Sequence, residues 1–153
     1  MPSRFDETDL RIIRELQADG RMTNVELAQR LGMSPPPCLR RVRALEEAGA
    51  ITGYRALIDH RLLGYEAPFF AFVHLASQAE SDLEAFKAHL RALPIVRSSW
   101  TLSGDMDFVL LCVARDMREF QSFVSEMTAH PNVRNVRTAL ALEQVKDEGL
   151  GRT

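Results

Sequence analysis

The sequence is short of the features that mark an enzyme, a secreted scaffold or a membrane protein. Its 153 residues include two cysteines, Cys38 and Cys112. Neither has CxxC spacing or a neighbouring histidine, which excludes a disulfide framework and a cysteine-rich metal site. They read as reduced, buried thiols of an intracellular chain. No apolar stretch approaches the roughly 20 residues of a membrane helix, the longest run covering 67–75. The opening MPSRFDETDL is not a signal peptide. The four histidines, His60, His74, His89 and His130, are scattered, and GxSxG, HExxH and a phosphate loop are all missing. No convergent set of nucleophile, base and metal ligands remains, so neither catalysis nor a cofactor or metal is expected.

Positive charge is not in excess either. Nineteen Lys and Arg face 21 Asp and Glu, a net charge of -2 that by itself argues against a nucleic-acid partner. Distribution matters more than the total. Residues 20–45 carry Arg21, Arg30, Arg40, Arg41 and Arg43 against the single acid Glu26, a local charge of +4 that suits a phosphate-facing patch. With 46% hydrophobic and 26% charged residues the chain has the composition of a folded globular protein. Its patterning changes near residue 60, which favours two small domains over one core: 1–58, a linker at 59–66, and 67–153.

Three short helices open the chain. The first starts at Asp6 with Asp9 three residues on, has an inner stripe of Leu10, Ile13 and Leu16, and ends near Gly20. The second starts at Thr23, forms a T-x-x-E capping box with Glu26, buries Leu27, Ala28 and Leu31, and breaks at Gly32. The third follows Ser34 with Pro35, Pro36 and Pro37 in its first turn, where missing N–H groups have no intrahelical partner to lose. Because each proline pushes the preceding residue out of the α region, this helix is expected to begin only at Pro36 or Pro37. Residues 51–58, rich in β-branched and aromatic side chains, read as an exit strand.

The remainder repeats strand, helix, strand twice, with capping boxes predicted at Ser81 with Glu84 and at Asp116 with Glu119. Buried stripes are Leu83, Phe86, Leu90 and Leu93 on one helix and Phe120, Phe123, Val124 and Met127 on the other. Strands are expected at about 67–75, 96–102, 107–114 and 133–142, with a hairpin turn at 103–106. The fold class is therefore α+β, a helix-turn-helix followed by a ferredoxin-like βαββαβ sandwich. Two of the strands are apolar on both faces although helices cover only one, so the second face is expected to meet another subunit.

On a helical wheel Cys38, Val42 and Leu45 cluster, while Pro36, Arg40, Arg43 and Glu47 share the opposite face. A capped helix, a tight turn and a second helix with outward arginines is the geometry that sets a recognition helix in the major groove, with Arg40 and Arg43 as its readers. Arg41 projects sideways and is expected on a phosphate, as are Thr23 and Asn24 at the start of the second helix. Since the prolines donate no N–H, Ser34 has to supply the helix-terminus contact through its hydroxyl.

These residues resemble a known family. The run DETDLRIIRELQADGRMTNVELAQRLGMSPPPCLRRVRALEEAGAITGYRALID is similar to the DNA-binding domain of the Lrp/AsnC (feast/famine) regulators, and the likeness continues through SGDMDFVLLCVA and TALALEQVK. The family more often has Ser or Thr where Pro36 stands, and often an aromatic residue where Met106 stands. The resemblance implies a winged helix-turn-helix joined to a ligand-sensing βαββαβ domain (RAM/ACT-like). It also implies dimers that assemble further, commonly to octamers, through the sheet faces. Its effector pocket lies between dimers at a G-D-x-D hairpin, which places Ser103, Gly104, Asp105 and Asp107 at an amino-acid site and Thr138 opposite them. The chemistry agrees: backbone N–H groups freed at Gly104 suit a carboxylate, and Asp105 suits an ammonium.

The expected function is a cytoplasmic, nucleoid-associated transcription regulator that binds double-stranded DNA and responds to a small amino acid. The competing reading is an architectural, effector-independent DNA binder that leaves the hairpin unused.

Overall fold

The computed structural model describes residues 5–147. The chain divides into two compact units, the first running to Leu57 and the second covering Ile58–Val145, while Lys146 and Asp147, expected in the C-terminal domain, group with the first. The expected linker at 59–66 therefore belongs to the second unit, where Asp59 caps a single 3₁₀ turn, His60–Leu63. Residues 148–153, assigned to the C-terminal domain, lie outside the described residues.

The first unit is a trio of helices, α1 (Glu7–Ala18), α2 (Asn24–Leu31) and α3 (Pro35–Glu47). Asp6 and Asp9 form a reciprocal capping box on α1, and Thr23 and Glu26 do the same on α2. Gly32 closes α2 in the left-handed conformation at φ 69°, and Met33 N–H donates to Ala28 O at 2.9 Å. The core consists of Ile12, Leu27, Ala28, Leu31, Cys38 and Leu45.

The inner stripe of α1 is shifted from the expected one. Ile12 is fully buried while Leu10 and Ile13 are only half-buried. The inward positions are 9, 12, 13 and 16, and a polar residue, Asp9, occupies the first of them, which hides the true phase of the stripe. A second difference is the start of α3. It begins at Pro35, not at Pro36 or Pro37, with all three prolines helical. Only the fourth residue in needs an N–H, and Cys38 donates it to Ser34 O at 3.4 Å. A third is the exit strand: residues 52–58 lie in no strand. A strand needs a ladder partner, and among the described residues of this chain none pairs with it.

The second unit contains β1 (Ala67–Leu75), α4 (Glu80–Ala92), β2 (Val96–Thr101), β3 (Phe108–Ala114), α5 (Met117–Ala129) and β4 (Val133–Leu140). All neighbouring strands are antiparallel in the order β2-β3-β1-β4. Each helix connects strands separated by one other, which is the ferredoxin-like split βαβ arrangement.

The cap of α4 differs from the expected one. The helix starts at Glu80, and its N-cap, Ala79, makes no side-chain cap bond. Ser77 takes that place by accepting Ala79 N–H and donating to the Asp82 carboxylate, while Glu84 pairs with Lys87 at 2.6 Å. At α5 half of the expected box forms. Asp116 accepts Glu119 N–H at 2.8 Å, but the Glu119 carboxylate turns to Arg115.

Both helices cover one sheet face. Phe69 stands edge-on to Phe120 and Phe123, with ring centroids 4.8 and 5.4 Å away, and Phe86 packs on Phe108 at 5.1 Å. The other face carries Phe70 and Phe72 of β1 opposite Leu111 and Val109 of β3, and Trp100 of β2 beside Val109. Phe70 is 37% and Trp100 47% exposed, and no helix of the unit covers this face.

Phe69 is fully buried between two aromatic rings, so Phe69→Ala should destabilise the C-terminal unit by about 3 to 5 kcal/mol. Urea unfolding followed by near-ultraviolet circular dichroism measures this. A loss below about 1 kcal/mol would mean that the three-ring cluster does not hold the sandwich together.

Candidate nucleic-acid interface and ligand-binding hairpin

The sequence LRRVR sets three arginines on α3 within four positions, and the helix sorts them. Arg40 and Arg43 are exposed, and among the described residues neither forms a side-chain hydrogen bond or ion pair. Arg41 is half-buried, and its Nη1 lies 2.8 Å from Asp6 Oδ2 and 2.7 Å from Asp9 Oδ1. Asp9 first and Asp6 second hold the Arg41 guanidinium above its ordinary range. The Asp6 carboxyl is held below its ordinary value of 3.8, first by Asp9 N–H and then by Arg41. Arg41 thus ties α3 to the start of α1, which differs from the phosphate role expected of it.

Arg30 is likewise paired, with Glu15 of α1 at 3.0 Å. The local charge of +4 overlooked these α1 acids, which lie outside the counted stretch in sequence but against it in space.

The phosphate contacts expected of the start of α2 are engaged within the fold. The Thr23 hydroxyl has one proton and donates it to Glu26 Oε2 at 2.7 Å. Asn24 Nδ2 donates to Pro35 O at 2.9 Å, pinning the first turn of α3 to the first turn of α2. Ser34 is exposed and makes no cap bond. The cause is local, because an N-cap hydroxyl accepts from N2 or N3 and both are prolines here. Pro36 is exposed on the same face as Arg40 and Arg43.

In the second unit the hairpin between β2 and β3 closes through Leu102 N–H to Asp107 O at 2.8 Å. Gly104 has φ 144°, a conformation that side-chain-bearing residues rarely adopt. Ser103, Gly104 and Asp105 are exposed, whereas Asp107 is buried. The Asp107 carboxylate accepts Leu75 N–H at 2.7 Å and Gln78 Nε2 at 2.9 Å. His74 Nδ1 lies 3.2 Å from it without hydrogen-bond alignment. Asp107 therefore fastens the hairpin to the end of β1, its carboxylate engaged within the chain where a ligand contact is expected. Thr138 sits opposite Ala71 on the far edge strand β4. The sheet does not bring it to the hairpin within one chain.

Among the described residues no cluster of His, Cys, Asp and Glu could hold a metal ion, and no helix is long and apolar enough to cross a membrane. Burial pushes the Cys112 thiol up to about 12 and raises that of Cys38, so neither is poised as a nucleophile.

Comparison with known proteins agrees with both halves. Residues 5–52 match the model for winged helix-turn-helix DNA-binding domains, and residues 69–150 match that for the Lrp/AsnC ligand binding domain. The leucine-responsive regulatory protein of Rhizobium meliloti is 54% identical over 144 residues, 94% of this chain and 92% of that protein. The chain belongs to the Lrp/AsnC family. Its Escherichia coli Lrp relative is 37% identical over 143 residues, 93% of this chain and 87% of that one.

Among solved Lrp/AsnC-type structures, a Neisseria meningitidis transcriptional regulator in complex with L-methionine superposes with a TM-score of 0.89 at 35% identity, covering 94% of each chain. An Agrobacterium tumefaciens AsnC family regulator does so at 0.87 and 32% identity, again covering 94% of each. As an Lrp/AsnC protein the chain is a DNA-binding transcription regulator and not an enzyme.

Two predictions come from this geometry. Asp107→Ala leaves the buried Leu75 N–H unpaired and should cost about 1 to 3 kcal/mol, whereas Asp105→Ala at the exposed turn should leave stability within about 0.5 kcal/mol. Denaturant titration of both variants checks this, and equal losses would refute the division of roles. The second concerns pH. A carboxyl depressed in the folded state adds stability above its unfolded value of 3.8 and loses it as pH falls through the folded value. Arg41→Gln should therefore make the fall of the melting temperature in acid shallower than in the unaltered protein. Identical acid profiles of the two proteins would count against the coupling.

Proposed function

We propose that this regulator reads double-stranded DNA with Arg40 and Arg43 of α3 and that a small amino acid modulates its binding or assembly. The observation that carries the DNA reading is the division of α3. Cys38 and Leu45 are buried, Arg41 is engaged with α1, and two guanidinium groups with no partner among the described residues face outward. An unpaired guanidinium on a recognition helix is suited to the O6 and N7 acceptors of guanine. Ser34 and Pro36 flank these readers, and the Ser34 hydroxyl, which makes no cap bond and has no partner among the described residues, is available for phosphate. Such a protein works where the DNA is, in the cytoplasm at the nucleoid.

The effector reading rests on the Lrp/AsnC ligand binding domain and on the exposed Ser103, Gly104 and Asp105 at the hairpin tip. Relatives are named leucine-responsive, and one neighbour holds L-methionine, so aliphatic amino acids are the first ligands to try. Thr138 joins the hairpin only if a second chain brings it there. The uncovered apolar sheet face supports pairing of two copies, and dimers could build a higher oligomer such as an octamer. Two heads would then read half-sites about one helical turn apart.

Arg40→Ala or Arg43→Ala should weaken specific binding by about 1 to 3 kcal/mol in a gel-shift titration at fixed salt. Operator affinity equal to that of the unaltered protein would remove the residue from the interface. For the effector, a melting-temperature screen against the twenty amino acids should show a rise with leucine or methionine that Asp105→Ala abolishes while DNA binding persists. No rise with any of them favours the architectural, effector-independent reading.

A further inference from the structure

The exposed face of α3 carries an apolar element between its cations and the turn. Pro36, Arg40 and Arg43 follow at i, i+4 and i+7, and all three are exposed. Most donors that could serve a base or phosphate at this end are absent or engaged. Residues 35, 36 and 37 have no N–H, Cys38 N–H is bonded to Ser34 O, and the Thr23 and Asn24 side chains are held by Glu26 and Pro35. Apart from the Ser34 hydroxyl, what remains is the pyrrolidine ring of Pro36. It is held from behind, because Asn24 Nδ2 fixes the carbonyl of the preceding residue at 2.9 Å.

A fixed apolar ring beside two free guanidinium groups has one natural partner in a major groove. The base edges there offer donors, acceptors and a single apolar group, the C5 methyl of thymine. Packing a proline on that methyl freezes no side-chain rotamer, so the contact costs little entropy. Leu39, the large exposed apolar residue of α3, is a poorer candidate, since it lines a recess with Asn24, Leu27 and Val42; Pro35 and Ala44 are also exposed but do not share the Pro36, Arg40 and Arg43 stripe at i, i+4 and i+7. Four residues of helix separate Pro36 from Arg40 by about 6 Å, or roughly two base-pair steps, so both can face one half-site.

We infer that Pro36 is a specificity-determining residue that reads a thymine methyl group in each half-site. This rests on α3 being the recognition helix, and the experiment is chosen to separate the two. Full-length protein is used to enrich a binding sequence from random duplexes. Each thymine of the enriched site is then replaced in turn by deoxyuridine, which removes only the methyl group, and affinity is measured by fluorescence anisotropy at fixed salt.

One thymine per half-site should show about a three- to fivefold loss on replacement, the size expected for one buried methyl group. Pro36→Ser should bind the thymine and deoxyuridine duplexes equally, with a reduced but remaining preference for the enriched site over random DNA that comes from Arg40 and Arg43. Pro36→Ala, which keeps a Cβ and the helix, should reduce the methyl effect in the same direction. Methyl sensitivity at no position overturns the inference. So does sensitivity that survives in Pro36→Ser but disappears in Leu39→Ala. Failure to enrich any sequence overturns the duplex reading itself, and this inference with it.

Discussion

Everything proposed for α3 depends on how one pair of carboxylates is shared. Asp6 and Asp9 each use one oxygen on the other's backbone N–H, which starts α1, and the remaining oxygen on the Arg41 guanidinium. The same two side chains therefore cap one helix and set the position of another. With Arg41 fixed, the 100° step between residues leaves Arg40 and Arg43 no way to turn inward, and Cys38 and Leu45 lie in the core on the other side. A cap that reads in sequence as local chemistry is in the fold a long-range tie. Its energy is modest because Asp6 and Arg41 remain partly in water. Its geometric effect is large, because a rotation of α3 would move both readers together.

The prolines and the β2–β3 hairpin obey a related constraint, the full accounting of backbone donors. In α3 the three donors that would otherwise lie free at the helix start are absent, so the helix begins without a cap, and Asn24 supplies the attachment to α2 from the other direction. At the hairpin the last N–H of β1, that of Leu75, donates to the Asp107 carboxylate. In both places a side chain that looks available for a ligand completes the backbone, and the neighbours left exposed, Pro36 and Asp105, become the ones free to meet something else.

Most of the architecture could be read from the sequence because it is written in local signals. The capping pairs at Asp6 and Thr23, the left-handed Gly32, the stripe of Phe86 and Leu90, and the period-two runs of β1 and β3 each need only a few neighbouring residues. What could not be read involves partners far along the chain. Arg41 meets Asp6 across 35 positions, Leu75 meets Asp107 across 32, and Asn24 meets Pro35 across 11. The cap of α4 was misplaced because Ser77 and Asp82 are five apart instead of three, so no capping-box pattern marks them. Residues 51–58 show the opposite case. Their strand propensity is plain, but a strand is a property of two chain segments, and one chain supplies only the first.

That last point bears on how such a regulator gains affinity. Within residues 20–45 Arg30 and Arg41 pair with α1, whereas Arg21, Arg40 and Arg43 form no ion pair among the described residues. Few cations displace few counterions, so on the proposed reading one head alone would bind weakly and with a shallow salt dependence. The same chain leaves apolar surface uncovered elsewhere, with Leu57 88% and Ile58 63% exposed, besides the outer face of the sheet. Burying such surface between copies draws on the hydrophobic effect and not on phosphate charge. Linking heads then makes the second engagement intramolecular, which multiplies affinity without adding a cation to either. A net charge of -2 is compatible with DNA binding on these terms: on the proposed reading the recognition helix would supply a small local positive field, assembly would supply the strength, and an effector that altered assembly would not need to touch the DNA-reading face.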